Sequence, residues 1–299
     1  MGPNLICSPC LDYLAGVPDN YFDIIATSPP YTASTGVGAR RYHGFPPLKF
    51  DLVSKEVART LKRQGVYLHI EGDVRRGYAD SGLSYRHFIN LQDAGLGLSS
   101  WVYAKGGLPF PPPRKFGLSR SFENIFVGIK PDADGRPIPR YWNRKAALIK
   151  PNSQAGKFCR GRTRKHELGD ELVFNGRTFH INEFGVASDV LKFQVGKNHS
   201  CKDKLAVGHS GVAPFRLMFF LLSLFLPADL NTRKNIRLYD PYLGSGQSLL
   251  AGLGLGLSPE NLYGTDVSQK YIDEIARPRL TDPEVLRVNM EGFGLNTPK

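Results

Sequence analysis

The sequence predicts an α/β fold with a doubly wound, mostly parallel sheet, and three observations support this prediction. Over the first 130 residues, short apolar segments of strand length alternate with segments of helical periodicity. The same alternation returns near Ser188 and continues to about residue 282. A glycine-rich turn joins a strand to a helix in this second part. Strands separated by helices form βαβ units, whose strands run parallel in one sheet.

The N-terminal alternation can be assigned segment by segment. Four apolar segments are predicted to be strands: residues 22–27, 66–70, 98–105 and 123–130. Two segments with apolar residues at helical spacing are predicted to be helices: residues 48–65, ended by Gly65, and residues 84–96. The proline- and glycine-rich segment 106–117 is predicted to be a loop.

The C-terminal part repeats the alternation. A long apolar helix is predicted over Pro214–Leu226, followed by a strand at residues 235–240. The glycine turn, a helix at 247–257, a strand at 261–266 and a helix at 268–280 come next. The predicted organisation is a core of residues 1–130 and 188–282, an insertion of residues 131–187 and a tail of residues 283–299.

The composition indicates a globular protein with a polyanionic partner. Of the 299 residues, 41% are hydrophobic and 22% are charged, so a sizeable core is expected. The net charge of +12 favours binding to nucleic acid. The longest apolar stretch, Leu217–Leu226, is too short to span a bilayer, and the N-terminus does not have the pattern of a signal peptide. We therefore expect a soluble cytoplasmic protein with no membrane partner.

The positive charge is concentrated in the insertion. Ten lysines and arginines and no acidic residue lie between Gly135 and His166, interleaved with Tyr141, Trp142 and Phe158. Such a segment suits a phosphate backbone and unstacked bases, although a flexible solvated insertion is the alternative. The predicted nucleic-acid ligands are Arg136, Arg140, Arg144, Lys145, Lys157, Arg160, Arg162, Arg164 and Lys165.

The four cysteines favour reduced structural thiols. Cys7 and Cys10 form one C-x-x-C pair, whereas Cys159 and Cys201 are isolated in the sequence. A zinc site made of the four cysteines is the alternative. We favour reduced thiols in a cytosolic protein and predict no metal.

The glycine turn after residue 240 predicts a nucleoside site. Gly244 and Gly246 allow a tight bend that brings backbone N–H groups and a helix N-terminus close to a ligand. Leu249 stands where a third glycine would complete a pyrophosphate motif. Asp266, 20 residues after Gly246, is placed to accept hydrogen bonds from a ribose. S-adenosyl-L-methionine fits these features, and an ordinary strand–helix corner is the alternative.

The stretch Ser28-Pro29-Pro30-Tyr31 predicts a rigid corner at the end of a strand, because neither proline can continue a sheet. An exocyclic base amine is a poor nucleophile, because its lone pair is delocalised into the ring. Ser28 Oγ and a Ser28 or Pro29 carbonyl could accept the two amine hydrogens and localise that lone pair, while Tyr31 stacks on the base. An ordinary Pro-Pro loop is the alternative.

Together the motifs resemble one family, the amino-methylating DNA methyltransferases that use S-adenosylmethionine. The stretch TSPPY resembles their catalytic motif, and DPYLGSGQSLLA resembles their cofactor motif. The catalytic motif comes first and the cofactor motif last, which is the β arrangement of the family. Weaker likenesses lie in WVYAKGGLPFPPP, SFENIFVGIK, SDVLKF and GHSGVAPFRLM, and YGTDVSQKYIDEIARPRL resembles the family's ribose-binding strand and the helix after it. Six residues depart from the family pattern: Pro9-Cys10, Phe122, Tyr242 and Gln247-Ser248.

The resemblance implies a Rossmann-like methyltransferase sheet and extends the list of site residues. The cofactor ligands that it implies are Asp240, Pro241, Tyr242, Gly244, Ser245, Gly246 and Asp266, with His209 and Phe215 at the methionine end. The departure at Pro9-Cys10 removes a carboxylate that often holds the adenine end in the family. Both ligand loops should lie at the carboxyl edge of the sheet, which would bring Ser28 close to Gly244.

The expected function is site-specific methylation of cytosine N4 in double-stranded DNA, because S-P-P-Y accompanies that target in the family. The insertion would recognise the target sequence, and the protein would be of prokaryotic or phage type. A cognate restriction endonuclease is a possible partner, and the sequence leaves open whether the protein has one. Three alternatives stay open: adenine N6 methylation of DNA, N4 methylation of RNA cytidine, and a non-catalytic nucleic-acid-binding protein.

Overall fold

The computed structural model describes residues 2–30, 49–73, 75–76, 79–106, 121–151, 158–160, 164–165, 171–172, 178–180, 184–186, 188–195, 199–208 and 211–291. The chain divides into two compact units. The first comprises Met1–Asn143 and Asp189–Lys299, and the second comprises Arg144–Ser188. The predicted insertion began earlier, at residue 131, whereas residues 131–143 pack with the first unit.

One mixed sheet organises the first unit. Its eight strands are β1 (Asn4–Cys7), β2 (Phe22–Thr27), β3 (Leu61–Glu71), β4 (Gly97–Gly106), β5 (Phe122–Ile129), β6 (Val190–Gln194), β7 (Leu238–Asp240) and β8 (Leu262–Asp266). They lie side by side in the order β1-β8-β7-β2-β3-β5-β4-β6. Only β5 runs against its two neighbours, so the described sheet is mostly parallel, as predicted.

The helices of the first unit connect these strands. They are α1 (Cys10–Ala15), α2 (Phe50–Thr60), α3 (Leu83–Asp93), α4 (Phe215–Leu224), α5 (Leu230–Arg233), α6 (Gln247–Gly254), α7 (Gln269–Tyr271), a π-helix (Ile272–Ala276), α8 (Arg277–Thr281) and α9 (Pro283–Met290). The described residues of this unit also include two 3₁₀-helices (Leu205–Gly208 and Pro259–Asn261) and a short antiparallel pair (Arg75–Arg76 with Ala79–Asp80). None of the helices in the described part of the chain combines the length and hydropathy of a membrane span.

The sheet carries helices on both faces. Alternate residues of a strand point to opposite faces. Tyr239 of β7 lies in a buried cluster with Leu14 of α1 and Val57 of α2. Its neighbour Leu238 faces α6, where a Cβ on Gly252 would lie 2.8 Å from the Leu238 side chain. The central strands are therefore covered on both sides, which is the layering of a doubly wound fold.

The predicted helix 48–65 is shorter in the structure. Helix α2 ends at Thr60, and β3 begins at Leu61, so Gly65 lies inside a strand and is not a helix cap. A side chain at residue 65 would meet the carbonyls of Lys62 and Asp23 at 2.7 and 2.9 Å. The spacing of apolar residues missed this change, because Leu61 is buried equally well at a helix end or at a strand start.

The predicted tail also differs from the structure. Asp282 caps α9 by accepting a hydrogen bond from the Glu284 N–H at 2.9 Å, and Pro283 occupies the first turn. Asn289 is buried and donates to Asp203 at 2.8 Å. The prediction of a tail from residue 283 was therefore wrong for residues 283–290, and residues 292–299 lie outside the described residues.

Three antiparallel pairs of short strands lie in the described residues of the second unit. They join Leu148–Pro151 to Phe184–Val186, Phe158–Arg160 to Thr178–His180, and Arg164–Lys165 to Glu171–Leu172. Each pair encloses the next one in the sequence, which is the pairing order of a single hairpin. The sequence analysis assigned no regular element to this segment.

Two strands from opposite ends of the chain meet at the centre of the sheet. Strand β2 pairs in parallel with β7, with Ile24 opposite Leu238 and Ile25 opposite Tyr239. At the carboxyl ends of these strands, Thr27 Oγ1 donates a hydrogen bond of 2.7 Å to Asp240 Oδ1. Both residues are buried. This bond fixes the point from which the two following loops leave the sheet.

A buried histidine–glutamate cluster joins β3 to α2 and α3. Tyr67, His69 and Glu71 are every second residue of β3, so their side chains lie on the same face of the strand. Tyr67 Oη lies 2.8 Å from His69 Nδ1, His69 Nε2 lies 3.0 Å from Glu71 Oε2, and His87 Nδ1 lies 2.8 Å from the same oxygen. Phe50 stacks on the ring of His87 at a centroid distance of 4.0 Å. The cluster therefore holds α2 and α3 against β3, the strand beside β2.

Ionisation of this cluster depends on its burial. Burial lowers the pKa of His69, and this effect outweighs the hydrogen bond and charge of Glu71. For Glu71, burial would raise the pKa, but the two imidazoles lower it to about 2. Both pKa values are below those of the unfolded chain. The stability that the cluster contributes is therefore present at neutral pH and is lost as the pH falls, first through His69 below about pH 6.5.

We expect the Thr27→Val variant to lose about 2 kcal/mol of unfolding free energy, because it leaves a buried carboxylate without one of its donors. Urea denaturation at pH 7 measures this loss. Thr27→Ser is the matched control, since it keeps the hydroxyl, and its loss should be less than half as large. Equal losses in the two variants would contradict the importance of the bond.

We expect the unfolding free energy to fall between pH 7 and pH 5, and to fall less in a His69→Gln variant. Glutamine does not titrate, so the variant would not take up the proton that the unfolded wild-type chain binds at residue 69. Urea midpoints at pH 7, 6 and 5 provide the measurement. His199→Gln, at an exposed position, should keep the wild-type pH dependence; identical slopes for all three proteins would count against the cluster.

Candidate active site at the carboxyl edge of the sheet

The proline corner leaves the sheet directly after β2. Ser28 is half-buried, Pro29 is buried and Pro30 is half-buried. The backbone of this corner is stiff, because both prolines fix φ and neither can donate to a neighbouring strand. Tyr31, the predicted stacking residue, lies outside the described residues. The Ser28 hydroxyl is thus held one residue beyond the Thr27–Asp240 bond.

The glycine turn leaves the sheet directly after β7, the strand beside β2. Gly244 and Gly246 adopt φ values of 47° and 72°, in the left-handed region that favours glycine. The Gly246 N–H closes the turn on the Leu243 carbonyl at 2.7 Å. Leu243 in turn packs over β8 at Gly264, where a Cβ would lie 2.7 Å from its side chain. Glycine is therefore required at positions 244 and 246 in the turn and at position 264 in β8, beneath the turn.

Asp240 holds the start of the turn from below. Its Oδ1 accepts hydrogen bonds from Thr27 Oγ1 at 2.7 Å and from the Tyr242 N–H at 3.0 Å, and its Oδ2 accepts from the Ser248 hydroxyl. Burial raises the pKa of Asp240 to about 6 against the effect of these donors. Because protein donors bind both oxygens, the geometry gives Asp240 a positioning role beneath the ligand loops.

Asp266 holds the turn from the side. Its Oδ2 accepts a hydrogen bond of 2.8 Å from the Gly244 N–H, and its Oδ1 accepts one of 2.8 Å from the Ser268 N–H. The Leu243 N–H also bonds to the Thr265 carbonyl at 2.8 Å. Asp266 is half-buried at the end of β8. The structure thus brings together the glycine and the acid that the sequence placed in one nucleoside site.

Cys10 begins α1 just after β1, at the position where the resembling family often has an acid. Burial raises the pKa of the Cys10 thiol despite an opposing interaction with the Tyr242 hydroxyl. That hydroxyl is buried without a conventional hydrogen-bond partner among the described residues. Position 10 therefore offers a neutral thiol packed beside Tyr242, with no carboxylate for a ligand.

The entry of α4 is attached to the glycine turn. Phe215 is buried at the start of α4, and its N–H donates to the Ser200 carbonyl at 2.8 Å. The same carbonyl accepts a hydrogen bond of 3.1 Å from Gln247 Nε2, at the start of α6. Phe215 and the turn are therefore joined through Ser200. The other residue predicted here, His209, lies outside the described residues.

Two of the predicted nucleic-acid ligands lie far from this edge. Arg136 is exposed and pairs with Asp132 and Asp134. The Arg140 N–H donates to the Gln64 carbonyl at 2.9 Å, near the amino ends of β2 and β3. Both arginines thus lie at the edge opposite Ser28. Because position along a chain does not reveal the sheet edge, the sequence grouped them with the rest of the basic segment.

The other predicted basic ligands belong to the second unit. Arg144 and Lys145 are exposed there. Arg160, Arg164 and Lys165 lie on its short strands. Lys157 and Arg162 lie outside the described residues.

Sequence reasoning missed several residues that the structure places in the site. Thr27 was noted only as part of TSPPY, although a hydroxyl at the last residue of a buried strand is a usable signal. Asp203 and Arg279 were not singled out, although Arg279 lies in the stretch YGTDVSQKYIDEIARPRL, which resembles the family's ribose-binding strand and the helix after it.

One group of described residues has the composition of a metal site. The ligand atoms of His69, Glu71 and His87 all lie within 4.8 Å of one another. Their separations of 2.8 and 3.0 Å are those of hydrogen bonds, so protons link them in this arrangement. Cys7, Cys10 and Cys201 are free thiols.

Comparison with curated proteins finds a relative of nearly the same length. No family model matches the chain. The chain is similar to the orphan methyltransferase M.BamHII of Bacillus amyloliquefaciens, with 27% identity over 283 residues. The match covers 94% of this chain and 97% of the relative.

Comparison with solved structures finds the same fold over nearly the whole chain. The cytosine-N4-specific PvuII DNA methyltransferase has a TM-score of 0.60 at 15% identity, covering 96% of this chain and 94% of its own. A candidate DNA modification methylase from Thermus thermophilus, in complex with S-adenosyl-L-methionine, has a TM-score of 0.55 at 18% identity and covers 97% of both chains. The predicted fold class and resemblance are therefore confirmed: the chain has the Rossmann-like α/β fold of the S-adenosylmethionine-dependent DNA methyltransferases.

Proposed function

We propose that this protein transfers a methyl group from S-adenosyl-L-methionine to the N4 amine of a cytosine flipped out of DNA. One observation carries the proposal. The Ser28-Pro29-Pro30 corner and the glycine turn follow adjacent parallel strands, and the Thr27–Asp240 bond joins them at 2.7 Å. Ligands of such folds bind at the carboxyl ends of the strands.

The residues of the turn fit a nucleoside cofactor. The left-handed glycines leave no Cβ at the bend, and the half-buried Asp266 carboxylate at the end of the neighbouring strand would accept hydrogen bonds from ribose hydroxyls. Pro241, Tyr242 and Ser245 are the other predicted ligands in the turn. Phe215 is linked to the turn through the Ser200 carbonyl, which accepts hydrogen bonds from the Phe215 N–H and from Gln247. When bound, S-adenosyl-L-methionine supplies an electrophilic methyl group, so no residue has to act as a nucleophile.

The proline corner would orient the amine. Ser28 Oγ and a backbone carbonyl of the corner would accept the two amine hydrogens, so that the N4 lone pair points at the methyl carbon. Tyr31 would stack on the base. As the N4–carbon bond forms and the carbon–sulfur bond breaks, one amine proton leaves to solvent or to an acceptor of the corner. A rigid corner favours this step because its acceptors need no rearrangement.

The choice of base and nucleic acid has separate support. S-P-P-Y accompanies cytosine N4 in the resembling family, and the PvuII enzyme of similar fold is cytosine-N4-specific. The net charge of +12 suits DNA. Arg136 and Arg140 lie at the far edge of the sheet, so target recognition would rest on the second unit, with Arg144, Lys145, Arg160, Arg164 and Lys165.

The reaction can be tested by supplying duplex DNA and structured RNA with labelled S-adenosyl-L-methionine. We expect label in DNA, and N4-methylcytosine after digestion of that DNA to nucleosides and mass spectrometry. N6-methyladenine would overturn the choice of base, and label confined to RNA would overturn the choice of nucleic acid.

We expect Ser28→Ala to reduce kcat by about 10- to 100-fold, because one acceptor of the amine is lost. The Kd for S-adenosyl-L-methionine should stay within twofold of wild type, since the glycine turn is untouched. Ser99→Ala, at an exposed position of β4, is the control and should keep full activity. Undiminished kcat in Ser28→Ala would remove the role proposed for this hydroxyl.

A further inference from the structure

We propose that Arg279 and Asp203 form a positioning pair that sets the shape of the cofactor site. The proposal rests on the proposed use of S-adenosyl-L-methionine. Neither residue belongs to the catalytic or glycine motifs, and neither was predicted from the sequence.

Arg279 is fully buried and bonded at every nitrogen. Its Nε and one Nη donate to the two oxygens of Asp203 at 3.0 and 2.9 Å, which is a forked ion pair. The same Nη lies 2.7 Å from Gln247 Oε1, and the other Nη donates to the Ser245 carbonyl. A buried ion pair seldom adds net stability over apolar residues of similar volume. We therefore attribute the presence of this buried ion pair to the geometry that it imposes on the glycine turn.

The contacts of Arg279 flank the left-handed glycine. Ser245 and Gln247 lie on either side of Gly246. The peptide between Ser245 and Gly246 is fixed at both ends, because its carbonyl accepts from Arg279 and its N–H donates to Leu243 at 2.7 Å. Arg279 thus holds the last peptide of the turn before α6 begins.

Asp203 lies in the segment of the chain that leads into α4. It accepts from Asn289 Nδ2 at 2.8 Å and from the Ala206 N–H at 3.2 Å. A second link runs beside it, since the Ser200 carbonyl accepts from Gln247 at 3.1 Å and from the Phe215 N–H at 2.8 Å. Arg279 and Gln247 therefore tie the glycine turn to the segment that leads into α4, through Asp203 and Ser200.

The helix that carries Arg279 is irregular directly before it. A π-helix over Ile272–Ala276 precedes Pro278, which has no N–H and disfavours a regular helical turn. Single π turns inside helices are frequent at functional sites. The widened turn accommodates Pro278 one residue before the buried guanidinium.

The test compares Arg279→Lys with Arg59→Lys. Lysine keeps the positive charge but loses the planar fork. Arg59 is a matched control, because it also bonds two acids (Asp19 and Glu56) and two carbonyls (Leu14 and Val17), at the far end of α2. Calorimetry with S-adenosyl-L-methionine is performed where urea curves show both variants to be folded.

We expect Arg279→Lys to raise the cofactor Kd by about 10-fold and the cofactor KM similarly, with kcat at saturating cofactor and the Kd for DNA within about twofold of wild type. Arg59→Lys should leave the cofactor Kd unchanged. An unchanged Kd in Arg279→Lys, or an equal rise in both variants, would overturn the proposal. A wild-type protein that binds no cofactor would instead overturn the proposed function.

If Arg279→Lys does not fold, Gln247→Leu provides the second variant. It keeps the Arg279–Asp203 pair and removes the links from Gln247 to Arg279 and Ser200. We expect a three- to tenfold rise in the cofactor Kd with a urea midpoint close to that of wild type. A wild-type Kd in this variant would contradict the coupling.

Discussion

The hydrogen bond between Thr27 and Asp240 is the contact on which the arrangement of the site depends. It joins residues 213 positions apart at the ends of adjacent parallel strands. A buried carboxylate is costly unless donors surround it, and burial raises the pKa of Asp240 to about 6 even with its donors present. Both ligand loops begin within one residue of this bond. Their separation is therefore set by the sheet and does not depend on the loops themselves.

The glycine turn is held from three sides by polar groups of other elements. Asp240 binds it from below, Asp266 binds the Gly244 N–H from the neighbouring strand, and Arg279 binds the Ser245 carbonyl from a later helix. Glycine is conformationally free, so a turn of this composition has little shape of its own. The surrounding carboxylates and guanidinium select one conformation. In the proposed function such pre-organisation would favour catalysis, because the groups that hold the reactants would not have to rearrange during the reaction.

The fold could be predicted from local sequence patterns, whereas the long-range polar contacts that hold the site together could not. Apolar runs and a glycine turn are short-range signals, and they correctly placed the strands that precede Ser28 and Gly244. The same signals failed at Leu61, where helical and strand burial coincide, and at Pro283, which can begin a helix as well as end one. The Glu71–His87 and Asp203–Arg279 contacts span 16 and 76 positions. Their partners become neighbours only once the chain has folded.

Burial and nearby negative charge explain why a thiol at position 10 is favourable where the resembling family often has an acid. A carboxylate at this position would be buried beside Tyr242, whose own hydroxyl has no conventional partner in the described structure. It would also add a negative charge to an edge that already carries Asp240 and Asp266, and the charge of Asp266 already raises the pKa of Asp240. Without a compensating cation, a third acid would raise that pKa further and weaken the ionised form of Asp240 at neutral pH. A neutral thiol avoids this cost at an edge that already carries Asp240 and Asp266.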